Sequence, residues 1–195
     1  MPERVLETTV LDITDTGHLV ELRYDDGESD ERLVCAAHGG AVEPGTTERA
    51  LELATQLPGT VCWSCLGRDD GGAFEQYHPP SSSFSPASYP LLGAVAEREF
   101  ASVLSLHGLA DDEILVGGAT DAERKRRVRD ALAETVSVPV ETVAAGAYAG
   151  TSPDNFVNWL AADGGLQLEL GPTPRSEEGH AVVNCLARLC REGVI

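Results

Sequence analysis

The sequence predicts an α/β domain, and three observations carry that prediction. Short apolar runs of strand length alternate with longer segments of helical periodicity. The chain has 195 residues, 42% of them apolar, enough for one sizeable core and too few for two ordinary enzyme domains. No internal repeat breaks the alternation. A single domain over residues 1–195 is therefore expected, with a long functional loop at about 67–90.

Val5–Ile13 and His18–Tyr24 read as opening strands, separated at Asp15–Gly17. Glu31–Ala37 reads as a third strand, ending at His38. Thr46 or Thr47 is placed to cap a helix running to about Leu57: Ala50, Leu53, Ala54 and Leu57 share one face, and Glu48 complements the positive first turn. Pro58-Gly59 stops that helix, and Thr60–Cys65 is the next strand. The 67–90 stretch is rich in Gly, Ser and Pro, the composition of a long irregular segment. A helix at Leu91–Glu99 and strands at Ala101–Leu106 and Ile114–Gly118 follow. Thr120-x-x-Glu123 has the form of a capping box, opening a helix to about Thr135. Val140–Ala147 reads as a strand, and Ser152-Pro153 as the N-cap and N1 of a helix to Leu160. Leu166–Leu170 alternates strictly and predicts a strand. A last helix at about Ser176–Arg191 buries Val182, Cys185, Leu186 and Leu189.

Acidic residues number 32 against 14 basic ones, a net charge of −18, and Lys125 is the one lysine among 13 arginines. Such a surface repels nucleic acid and anionic membranes, so neither is expected as a partner. It fits a halophile's composition, because a Debye length of roughly 3 Å at 1 M salt removes most self-repulsion. The basic run Glu123-Arg-Lys-Arg-Arg127 is predicted to be a solvated helix face. No apolar run reaches a membrane-spanning length, and Met1–Glu7 lacks the features of an export leader. A cytoplasmic monomer or weak oligomer with reduced thiols is expected. Cys35, Cys62, Cys65, Cys185 and Cys190 read as core positions; for Cys62-x-x-Cys65, a redox pair or half a metal site are the alternatives.

Three segments carry unusual polar residues. His38 leaves an apolar strand, two glycines follow, and Glu43 comes five positions later, so a tight turn could bring both side chains onto one ion. His107-Gly108 closes a second strand. Glu169 lies inside Leu-Gln-Leu-Glu-Leu, where alternation puts it with Gln167 on the face away from the leucines. Each alone has an ordinary structural reading: histidines at strand ends, a loop carboxylate, an ion pair of Glu169 with Arg175. Together, His38, Glu43 and His107 form the two-imidazole, one-carboxylate set that holds a catalytic zinc, with Glu169 as general base.

The segment His38-Gly-Gly-Ala-Val-Glu43-Pro-Gly-Thr-Thr-Glu48 resembles the HGG-x-x-E-x-GT-x-E signature of the phage-type poly-γ-glutamate hydrolases. Further resemblance lies in Cys62-Trp63 with the loop to His78, in Leu106-His107-Gly108, in Asp154-Asn155-Phe-Val-Asn158 and in Gly165-Leu-Gln-Leu-Glu169-Leu. It spans roughly residues 30–175 in the family's order. The resemblance implies a zinc carboxypeptidase-like fold, a mixed sheet flanked by helices, and one zinc per chain on His38, Glu43 and His107. It also implies Glu169 as catalytic base and cleavage of γ-glutamyl amide bonds in a small or polymeric substrate. His78, Asn158 and Arg175 are the candidate substrate contacts, with Arg68 as a further cation, and Asp111 or Asp112 could orient a histidine ligand. One position departs from the pattern: Trp159 stands where the family usually has an arginine. That departure favours, as an alternative, a deacylase or peptidase of the same fold acting on another amide; a non-catalytic metal-binding relative is a further alternative, against which the intact set of ligands and base argues.

Overall fold

In the computed structural model, which describes residues 4–28 and 31–195, the chain opens with a hairpin of two nine-residue strands, β1 (Val5–Ile13) and β2 (Gly17–Asp25). Residues 1–3 of the segment searched for a leader lie outside the described residues. Then come β3 (Arg32–Gly40), α1 (Thr46–Gln56), β4 (Thr60–Asp69), α2 (Ala73–Tyr77), a 3-10 turn at Ser81–Ser83 and α3 (Pro90–Gly93). The second half carries β5 (Ser102–Gly108), β6 (Ile114–Gly117), α4 (Ala122–Ala133), β7 (Val140–Thr142), α5 (Phe156–Trp159), β8 (Leu166–Leu170), α6 (Pro172–Arg175) and α7 (Gly179–Arg191).

The strands form one eight-stranded mixed sheet in the order β1-β2-β4-β3-β5-β8-β6-β7. The pairs β4–β3, β3–β5, β5–β8 and β6–β7 are parallel; β1–β2, β2–β4 and β8–β6 are antiparallel. Central strands are buried on both faces, which is why β3, β5 and β8 read as nearly continuous apolar runs. On one face α1, α4 and α7 bury Leu53, Leu132 and Leu186 against the sheet. On the other, the segment after α2 and α5 packs Phe84, Leu92, Phe100 and Phe156 around Trp63. The expected mixed sheet between helices is therefore what the chain forms. No helix among the described residues is long and apolar enough to cross a membrane.

Element boundaries moved where tertiary contacts outbid local signals. Gly45, with φ 95°, is the N-cap of α1; Thr46 and Thr47 lie inside the helix instead. Their hydroxyls bond Glu43 O (2.8 Å) and Ser64 Oγ (2.6 Å), both buried. Asp121, not Thr120, caps α4, accepting from Arg124 N at 2.9 Å. Asn155, not Ser152, caps α5, which is a single turn. The helix expected at Leu91–Glu99 is regular only over Pro90–Gly93; beyond it three-residue turns bury Val95 and Phe100. The strand expected at Val140–Ala147 ends at Thr142, and its remainder is loop. The last helix starts at Gly179 because the chain first makes α6. Strands β3 and β5 both run through their histidines rather than stopping before them.

Candidate active site

Strand β3 has β4 on one side and β5 on the other, so the chain reverses its direction of sheet growth beside β3. Open α/β sheets bind ligands at the carboxyl ends of strands at such a switch point. His38 lies near that end of β3, His107 near that end of β5, and Glu169 near that end of β8. His107 and Glu169 are register partners. After β3, Gly40 turns the chain with φ 72°, and Glu43 N donates to His38 O at 2.7 Å. Glu43 is thereby folded back between the histidines. Its Oε1 lies 3.4 Å from His38 Nδ1, and its Oε2 lies 3.8 Å from His107 Nδ1. The His38 and His107 ring centroids are 5.2 Å apart. Gly108 makes this approach possible: a Cβ there would sit 2.8 Å from Glu43 Cβ and 2.6 Å from Arg175 Nη1.

All four groups are buried, and for Glu43, His107 and Glu169 burial competes with neighbouring charges to set ionisation. Burial alone would raise the Glu43 pKa, but the imidazoles of His38, His78 and His107 outweigh it and hold the carboxyl well below its usual range. Burial, aided by repulsion from the other two histidines, lowers His107 to about 4 against the pull of Glu43, so its ring is neutral at pH 7. Burial and the Glu43 charge raise Glu169 to about 8, opposed by a hydrogen bond from Gln167. His38 Nε2 donates to Pro79 O at 2.8 Å, which fixes the ring with Nδ1 turned toward Glu43. Three buried atoms here have no hydrogen-bond partner: His38 Nδ1, Glu43 Oε2 and His107 Nε2. One comes from each member of the predicted ligand set, and buried orphans of this kind call for a ligand.

His78 joins the cluster more closely than a substrate contact would. Its Nε2 donates to Glu43 Oε1 at 3.0 Å, and its ring lies 4.1 Å from that of His38. His38, Glu43 and His78 offer ligand atoms within 4.8 Å of one another. A cavity of about 600 Å³ opens over the group, lined by His38, Glu43, His78, His107 and Glu169. Two further side chains hold Glu169. Gln167 Nε2 donates to Glu169 Oε1, and Asn155 Nδ2 donates to Gln167 Oε1, both at 2.8 Å. Gln167 was legible as a same-face neighbour of Glu169 two residues away. Asn155 stood out only as part of the family-like segment Asp154–Asn158, and Phe74 and Tyr148, which also line the cavity, left no comparable signal.

Asn158 and Arg175 are not brought to the cavity wall. The Asn158 amide donates to Gly150 O (2.8 Å) and Ser152 O (2.7 Å) and accepts from Ala119 N and Gly165 N (both 3.1 Å). It braces the loop beside the cavity and has little capacity left for substrate. The Arg175 guanidinium donates to Gly171 O, Pro44 O and Leu109 O at 3.1–3.3 Å rather than to Glu169. Arg68 is exposed on β4 and does not line the cavity. Asp112 accepts from Thr173 N and Oγ1 at 2.9 and 2.7 Å, so its carboxylate orients α6 instead of a histidine. All five cysteines are free and buried. Cys62 and Cys65 belong to cores on opposite sheet faces, which rules out a working pair in this fold. Burial raises Cys62 to about 12, so its thiol is inert.

The family model for poly-gamma-glutamate hydrolase matches residues 11–178. The SPbeta prophage-derived UPF0714 protein YoqZ of Bacillus subtilis (strain 168) is 28% identical over 147 residues, 74% of this chain and 50% of that protein. The chain thus spans about half the length of the curated relative it matches. A solved bacteriophage poly-gamma-glutamate hydrolase superposes with a TM-score of 0.73 at 19% identity, with 94% of each chain covered. The zinc-free apo form of YNDL also gives 0.73, at 24% identity and 94% coverage of each chain. These two likenesses establish a common fold. The matched residues take in both histidine segments, Glu43 and Glu169, and the chain belongs to the poly-gamma-glutamate hydrolase family.

Proposed function

We propose that the protein is a zinc-dependent amidohydrolase that cleaves γ-glutamyl or related amide bonds, with Glu169 as general base. One observation carries the reading: the buried Glu43 carboxylate lies 3.4 Å from His38 Nδ1 and 3.8 Å from His107 Nδ1, each of the three residues keeps an unpartnered buried atom, and a second buried carboxyl, Glu169, stands beside them. Two imidazoles and a carboxylate are the donor set of an open catalytic zinc site, so the residues fit the metal. When bound, zinc supplies Lewis acidity, polarising a carbonyl and making water more acidic.

The chain's own residues do the rest. The carbonyl of Pro79 orients the His38 ring through Nε2. Gln167 occupies Glu169 Oε1 and leaves Oε2 free; with the positive charge of a bound metal offsetting Glu43 and favouring the ionised carboxyl, Oε2 would take a proton from attacking water and return it to the departing nitrogen. Asn155 fixes Gln167 in turn, so the base is held by two successive amides.

A second reading keeps the chemistry and changes the substrate: a deacylase or peptidase acting on another amide. Trp159, exposed beside the site in place of an expected arginine, favours it. Metal analysis and an amide-cleavage assay test the common core of both. The purified protein should carry one zinc, His38→Ala should lose it, and Glu169→Gln should keep it while losing hydrolysis. A Glu169→Gln protein with full activity on every cleaved substrate would remove the assigned base.

A further inference from the structure

Three exposed aromatic side chains lie at the site's cavity or in the groove that adjoins it. Phe74 stacks on His78, ring centroids 4.1 Å apart, and remains 50% exposed. Tyr148, in the loop after β7, lines the same cavity and is 47% exposed. Trp159, at the end of α5, is 37% exposed in a groove with Phe84, Pro86 and Pro153. Ser82 lines both cavity and groove, so the two share a wall. Among the described residues, the other exposed large apolar side chains are Leu6, Val10 and Ile13, all on β1. Half of this exposed apolar material thus lies along the cavity and the adjoining groove, where such clustering marks a binding surface.

The charges there point the same way. Among the described residues lining the cavity and groove, the acids are Glu43, Glu169 and Asp154, and there is no lysine or arginine. Apart from the histidines, the polar lining is neutral hydroxyl and amide, such as Thr151, Ser152 and Asn155. Arg175, the cation nearest Glu43, already donates to three carbonyls. A ligand bearing several free carboxylates would find no lysine or arginine in this lining to pair with, on a chain of net charge −18. Aromatic faces instead favour apolar and planar groups.

Resting on the amidohydrolase reading, we propose that this site takes amides whose flanking groups are uncharged and apolar or aromatic, rather than a free polycarboxylate. Tyr148 and Trp159 are its specificity-determining residues.

The test pairs a γ-glutamyl-glutamate dipeptide bearing free α-carboxylates with the same dipeptide capped as benzylamides. Calorimetry on the zinc-loaded Glu169→Gln protein, at 0.1 and 2 M KCl, reads binding without turnover; wild-type hydrolysis of both probes is followed in parallel. The capped probe should bind at least tenfold more tightly at either salt concentration. Tyr148→Ala and Trp159→Ala should each weaken it three- to tenfold and shift the free acid less than twofold, and Phe at either position should restore binding. Equal or tighter binding of the free acid overturns the proposed substrate class, as does a capped-probe affinity indifferent to both alanine variants. Loaded wild-type protein that cleaves neither probe overturns the hydrolase reading instead, and the binding comparison still decides the substrate class.

Discussion

His107 and Glu169 are register partners across the parallel pair β5–β8. A predicted metal ligand and the proposed base therefore stand on adjacent strands, at the spacing of about 4.8 Å that backbone hydrogen bonding imposes. Their separation is a property of the sheet rather than of a loop, which is the rigid support a catalytic pair needs.

That arrangement separates binding from proton transfer. Glu169→Gln removes the proton acceptor while preserving shape, so kcat should fall by about 10²- to 10⁴-fold. Zinc content and KM should change little, as steady-state kinetics and metal analysis on one preparation would show.

Glu43 touches both candidate third ligands, and single substitutions tell them apart. His107 offers a buried, unpartnered Nε2, whereas His78 is partly exposed and already bonds Glu43. His107→Ala should lose zinc on dialysis. His78→Ala should retain it with reduced activity. Atomic absorption after dialysis reads both, and the reverse pattern would transfer the ligand role to His78.

The metal-free protein should show a specific pH dependence. Glu169 has its folded pKa raised to about 8 from an ordinary 4.5, so its contribution to stability is complete below about 4.5 and is lost as pH rises through 8. His107 runs oppositely: lowered to about 4 from 6.5, it contributes above 6.5 and loses that contribution as pH falls through 4. Glu43, held low, likewise contributes at high pH and fails in acid. Between pH 6.5 and 8, Glu169 is the member of this trio that titrates, with a slope of at most about −1.4 kcal/mol per pH unit. Urea unfolding across that window should show wild-type stability falling relative to Glu169→Gln. A flat difference would place the carboxyl in a more polar setting than its burial implies.

The charge of −18 predicts salt dependence. Screening of self-repulsion should raise the melting temperature between 0.1 and 2 M KCl. A scanning fluorimetry series at fixed pH is sufficient, and an unchanged or falling midpoint would contradict a halophilic origin for the composition.

What could be read from the chain follows from the range of the interactions involved. His38, Glu43, His107 and Glu169 stood out because strand periodicity and a five-residue return are local patterns, and the sheet then assembled them. Asn158 and Arg175 misled because their carbonyl and amide partners lie as far away in sequence as Ala119 and Pro44. Glu21 shows the same limit. In an alternating strand it looks like an ordinary outward carboxylate, yet it is fully buried, accepting from Trp63 Nε1, Leu91 N and Leu92 N at 2.6–2.9 Å. Its donors lie 42 to 71 residues on, beyond any local pattern. The caps of α1, α4 and α5 shifted because neighbouring residues offer similar capping strength and burial chose between them.

The most direct test is an anomalous difference map at the zinc absorption edge, from crystals grown with the metal. It should show one peak about 2.0–2.2 Å from a nitrogen of His38, a nitrogen of His107 and an oxygen of Glu43, with Glu169 nearby and not coordinated. No peak there, or a peak bound without His107, would contradict the centre described.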